Sequence, residues 1–212
     1  MKCGRIATLI ILILLSIQLA ILFPGDANLD IEDDEYTRTV SCDLTPSNET
    51  KYANNYSLNT WVPQMVMHPD DREQVTDTTE YPWSTICKIF AYHPDDNYYA
   101  EGTGFMVDRN HVLTAGHLLY FHDESGWSYD AWAESVKVIP AMAPGWKPFG
   151  QAWATNMQCE SGWTEFREEK YDWGLITLEE NMGDDTGWLD VQTAAPSNPI
   201  YSGTLHTAGY PY

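Results

Sequence analysis

The sequence predicts an all-β fold, an antiparallel barrel or sandwich, from about residue 84 onward. Three observations predict it. Six short β-type runs follow one another, Gly, Pro and Asp punctuate them, and no long segment of helical period intervenes. The first run, STICKIFAY at 84–92, is mostly apolar or β-branched. The second and third, GTGFMVD at 102–108 and HVLTAG at 111–116, meet at Asp108-Arg109-Asn110, a turn-prone triplet. SVKVIPA at 135–141, WGLITLE at 173–179 and GTLHTAGY at 203–210 complete the set. There is no internal repeat and no low-complexity tract.

With 212 residues, 43% hydrophobic and 13% aromatic, the chain can bury the core of one substantial domain or two small ones, which excludes a disordered protein. The nine Trp are read as core and inter-strand packing, since nothing in their spacing favours a carbohydrate platform. The 31 acidic and 11 basic residues give a net charge of −20. Such a surface repels nucleic acid and anionic membranes, so neither is expected as a partner. It suits a secreted protein or one adapted to salt.

Lys2 and Arg5 precede an apolar run from Ile6 to Phe23, ended by Pro24 and Gly25, with Gly25-Asp26-Ala27 as a small-x-small cleavage site. Residues 1–27 are therefore expected to be a secretory signal peptide. The competing reading is an uncleaved membrane anchor, because 18 residues is close to the shortest span. Either way the remainder lies outside the cytoplasm. Residues 28–65 are polar and acidic, with DIEDDEYTR near their start, and read as a linker or pro-segment. Two N-x-[ST] sequons, at Asn48 and Asn55, make that stretch a candidate for glycosylation.

The chemistry concentrates in two short motifs. In NHVLTAGHLL, His117 falls just past the end of a predicted strand, where small Ala115 and Gly116 leave its imidazole room. In KYDWGLITLEE, Asp172 stands at the mouth of an apolar strand running from Trp173 to Leu178. A carboxylate there needs a partner, because burial alone would cost several kcal/mol or neutralise it. A histidine that takes up a proton during catalysis is such a partner: the carboxylate fixes its tautomer and stabilises the imidazolium. Other readings are weaker. His111, His117 and His122 do not have the i, i+4 spacing of a helical zinc pair, and no Cys-x-x-Cys occurs. Asp95-Asp96 and Asp184-Asp185 lack the loop pattern of a calcium site and read as solvated turns. No cofactor or metal is expected.

The stretch around His117 resembles the Thr-Ala-(Ala/Gly)-His signature of chymotrypsin-like serine proteases, in which this His is the general base. Asp172 follows 55 residues later, a spacing similar to that between His and Asp in the first barrel of that family. DDREQVTDTTEYPWSTI at 70–86, PFG at 148–150, GDDTGW at 183–188 and AGYP at 208–211 resemble the glutamyl endopeptidase branch, which cuts after Glu or Asp. The resemblance covers about residues 66–212. It implies a double β-barrel of antiparallel Greek-key type, with 66–190 as the first barrel and 191–212 as the start of the second. It also implies His117 and Asp172 as catalytic residues, protein or peptide substrates, and a monomer.

The nucleophile is the missing part. The family carries it in a Gly-(Asp/Asn)-Ser-Gly segment after the Asp motif, and no such segment follows Asp172 here. Ser125 and Ser161 precede Asp172 and lack the Gly-rich turn of an oxyanion hole, while Ser202 reads as a strand start. The expectation is a secreted serine endopeptidase whose serine lies outside these 212 residues, which alone are inactive. The competing class is a protease-like binding module without catalysis. The family match begins near Val66, so the mature N-terminus is expected there. In glutamyl endopeptidases the freed α-ammonium helps to bind the acidic side chain of the substrate. Of the cysteines, Cys3 falls in the signal. Cys87 in a predicted strand and Cys159 in a loop of the same barrel are expected to pair, leaving Cys42 in the pro-segment.

Overall fold

The computed structural model describes residues 39–44, 72–93, 98–122, 130–191 and 206–211. The signal segment, both sequons, Val66, Asp95-Asp96, Ser125 and Ser202 lie outside the described residues.

Among the described residues nine strands carry the fold: β1 (Thr39–Asp43), β2 (Ile86–His93), β3 (Tyr98–Met106), β4 (His111–Thr114), β5 (Tyr120–Phe121), β6 (Ala131–Trp132), β7 (Ser135–Pro140), β8 (Ala152–Glu160) and β9 (Gly174–Leu178). Every pairing among them is antiparallel. The main sheet runs β1-β8-β7-β2-β3-β4-β9, and β9 also pairs with β8. That last pairing closes six strands, β7-β2-β3-β4-β9-β8, into a barrel and removes their free edges. The fold is all-β, as the strand pattern predicts. Helical structure among the described residues is limited to single turns, among them α1 (Ser161–Thr164) and α2 (Gly183–Thr186).

The alternation of side chains across each strand fills the barrel. Ile89, Met106, Val112, Val136, Val138, Met157 and Ile176 are fully buried and form its core. Glycines in β3 permit that packing: a Cβ on Gly104 would come within 2.7 Å of Ile89 Cδ1 and Val112 Cγ1. The outward side of β2 and β3 carries a smaller cluster of Ile86, Phe105 and Leu189, covered by Ala208 and Tyr210. Tyr210 is fixed there by its N–H, which donates to Thr103 Oγ1 at 2.9 Å. The β3–β4 turn forms at the expected triplet, where Asp108 Oδ1 accepts the backbone N–H groups of Asn110 and His111 at 2.9 Å each.

Residues 206–210 of the run GTLHTAGY form no strand. Three further features depart from the sequence reading. Within the stretch read as an acidic linker, Thr39–Asp43 forms β1 and pairs along β8, with Val40 opposite Cys159 and Cys42 opposite Met157. Cys42 and Leu44 pack against the core. Cys159 belongs to strand β8 rather than to a loop.

The third departure is a correction. Cys87 and Cys159 do not pair, and both are free. Strand pairing explains this: Cys87 stands between Gly104 of β3 and Pro140 of β7, whereas Cys159 stands between Val40 of β1 and Gly174 of β9. Burial pushes both thiols up, and the charges of Asp172 and Glu160 add to the effect on Cys159. Neutral buried thiols are poor nucleophiles. Denaturing, non-reducing alkylation followed by peptide mapping is expected to find both cysteines alkylated, and a Cys87–Cys159 linked peptide would contradict the structure.

Candidate active site

The barrel brings the two motifs together at one end. β4 pairs with β9 so that Thr114 stands opposite Gly174. Each strand end therefore delivers its neighbouring residue to the same place: His117 three residues past Thr114, Asp172 two before Gly174. Thr114 is buried and donates its hydroxyl to Thr103 O at 2.9 Å, which anchors the strand end. The chain then turns through a 3-10 segment, Gly116–Leu118, that presents His117. Asp172 caps a second 3-10 turn, Glu169–Tyr171.

His117 and Asp172 meet through two contacts. The backbone N–H of His117 donates to Asp172 Oδ1 at 2.7 Å, and Nδ1 stands 2.7 Å from Oδ2. The carboxylate is 6% exposed and the imidazole 34% exposed. A buried acceptor at Nδ1 selects the tautomer with the proton on that nitrogen, which leaves the Nε2 lone pair free to accept. Nε2 makes no hydrogen bond among the described residues. This is the geometry of a base held by a carboxylate.

Close packing keeps the pair in register. A Cβ on Gly116 would stand 3.0 Å from Trp163 Cδ1 and 3.1 Å from Asp172 Oδ1, so only glycine fits between them without displacement. At Gly162, in α1, an added Cβ would collide with the Tyr171 ring, and Tyr171 directly precedes Asp172. Gly162→Ala is therefore expected to displace Tyr171 and Asp172 together. The check is the downfield proton resonance of His117 Nδ1–H, which should shift or vanish in the variant.

The other candidates fall elsewhere. Ser161 is buried with its hydroxyl enclosed, out of reach of any substrate. His111 faces Asp108 at 2.8 Å and His122 faces Asp130 at 3.0 Å, so the three histidines have three separate carboxylate partners. Asp184 receives Arg109 through two nitrogens, at 2.8 and 2.6 Å. Among the described residues no group of three or more His, Cys, Asp or Glu side chains is placed to hold a metal ion. Trp163 and Gly162 were not legible as site residues, since the sequence shows ESGW only as a Ser-Gly context.

Two curated relatives match most of the chain. It is 32% identical over 146 residues to the glutamyl endopeptidase of Bacillus licheniformis, which covers 69% of this chain. It is 28% identical over 144 residues, 68% of its length, to a Bacillus subtilis protein named extracellular metalloprotease. The chain is similar in sequence to that glutamyl endopeptidase, and the similarity agrees with the motif resemblance to that branch. The chain spans less than half the length of these relatives, 42% and 44% respectively. No family model matches it. A solved structure of a Glu endopeptidase is 24% identical with a TM-score of 0.49, covering 57% of this chain and 52% of that one. Among the described residues, no helix is long and apolar enough to cross a membrane.

Two of the motifs that carry the resemblance have identifiable work in the fold. In GDDTGW, Gly183 lies against the backbone of Asp108 and Arg109, where a side chain would not fit. Gly187 ends α2 with φ of 73°, a conformation that favours glycine. In AGYP, Tyr210 closes the outer cluster.

Proposed function

We propose that this chain supplies the base and its orienting carboxylate to a secreted serine endopeptidase of the glutamyl type. The observation that carries the reading is the His117–Asp172 pair, with Nδ1 held at 2.7 Å from the carboxylate. The serine belongs to a segment following residue 212, as the motif order of the family implies. Its hydroxyl proton passes to His117 Nε2 while Oγ bonds the scissile carbonyl carbon. Asp172 keeps Nδ1–H in place and stabilises the imidazolium. The proton then goes to the leaving amine, and water repeats the sequence to release the acid. Residues 1–212 alone are inert on this reading, because the base has no hydroxyl to deprotonate.

Preference for Glu or Asp needs a local positive group, since a surface at −20 repels an acidic substrate. An α-ammonium freed by cleavage near Val66 meets that need. The signal expected at 1–27 and the similarity to an extracellular protease of B. subtilis support secretion. The test is to read the coding frame beyond Tyr212 and assay the complete product on peptides differing only at the residue before the cut. Cleavage after Glu, ahead of Lys and Phe, supports the reading. A stop directly after Tyr212 sinks it in favour of a non-catalytic module.

A further inference from the structure

His122 is a buried titratable residue that the reaction outlined above does not use. Its side chain is 6% exposed and its ring lies against Tyr120 and Trp163, with centroids 5.1 and 4.8 Å away. Nδ1 stands 3.0 Å from Asp130 Oδ2, and Nε2 stands 2.7 Å from the backbone carbonyl of Trp163. Both neighbours are acceptors, so the ring is tied to the Asp130 side chain on one side and to the backbone of Trp163 on the other.

The surroundings complete this arrangement. Asp130 also receives Arg167 Nη2, at 2.8 Å to Oδ1 and 3.0 Å to Oδ2. Arg167 itself has φ of 56°, uncommon outside glycine, and its N–H donates to the same Trp163 carbonyl at 3.1 Å. Two donors thus converge on one carbonyl, and a shared carboxylate ties them together. What the network holds is Trp163. Its indole N–H donates to Tyr120 O at 3.0 Å, its ring meets that of His117 edge-on at 6.4 Å, and its Cδ1 abuts Gly116.

We propose that His122, held between Asp130 and the Trp163 carbonyl, is a positioning residue for His117. It fixes Trp163, and Trp163 sets where the His117 imidazole stands relative to Asp172. The inference rests on the reading of His117 as the general base. A base misplaced by a fraction of an ångström loses proton-transfer efficiency while substrate binding is untouched.

Kinetics and NMR on the full-length protein test it. In kinetics, His122→Phe should lower kcat by about ten- to a hundred-fold with KM unchanged. That loss should largely disappear in a Trp163→Phe background, because both changes act through one contact. Losses that multiply would show that His122 does not act through Trp163. Asp130→Asn, at a partly exposed position, serves in the same way should His122→Phe not fold. If the parent hydrolyses no peptide, the proposed activity fails on its own. The inference is then decided by the His117 Nδ1–H resonance, which His122→Phe must move if His122 positions His117.

Discussion

Replacing His117 with alanine in the full-length protein is expected to lower kcat for peptide hydrolysis by a factor on the order of 10⁶. The size follows from the division of labour. A serine hydroxyl is a poor nucleophile without its base, and the neighbouring histidines are engaged elsewhere: His111 faces Asp108 and His122 faces Asp130. Thermal stability should change little, because the His117 side chain is one-third exposed and its backbone N–H contact to Asp172 survives the substitution. Paired measurements of kcat and of the unfolding midpoint check both halves. A variant with near-parental turnover would remove His117 from the reaction.

Asp172→Asn is expected to reduce kcat by about 10⁴. Asn can still accept the His117 backbone N–H through its carbonyl oxygen. Its amide then faces Nδ1 and donates to it, so the imidazole carries its proton on Nε2. That is the wrong nitrogen for a base. The variant should also lose the downfield Nδ1–H resonance, which separates tautomer reversal from general unfolding. A drop of only a few-fold with that resonance intact would mean that the carboxylate does not govern the tautomer.

What could be read from the chain and what could not divide along physical lines. Strands β2, β4, β7 and β9 coincide closely with apolar or β-branched runs: β4 and β9 bury every second side chain, and β2 and β7 are buried along nearly their whole length. β8 escaped notice although it is among the longest strands. Its register shifts between Ala154 and Asn156, so inward positions run Ala152, Ala154, then Met157 and Cys159, and the period of two is broken. β1 was hidden by acidic neighbours, since only Val40 and Cys42 lean inward. The His117–Asp172 pair was legible because each residue sits beside its strand in a short motif. The His122 contacts were not, because the partner carbonyl lies 41 residues away and a backbone acceptor leaves no mark in the sequence. The cysteine pairing failed for a related reason: residues of one barrel need not lie on neighbouring strands.

Reaction with a fluorophosphonate probe tests the central claim most directly. The probe traps a serine only when a base activates it, so it reports on the pair rather than on substrate preference. The protein extended through its downstream coding frame should label at a serine beyond Tyr212, and His117→Ala should abolish labelling while residues 1–212 alone stay unlabelled. Labelling of residues 1–212 alone, or labelling of the extended protein that is indifferent to His117, would contradict the account.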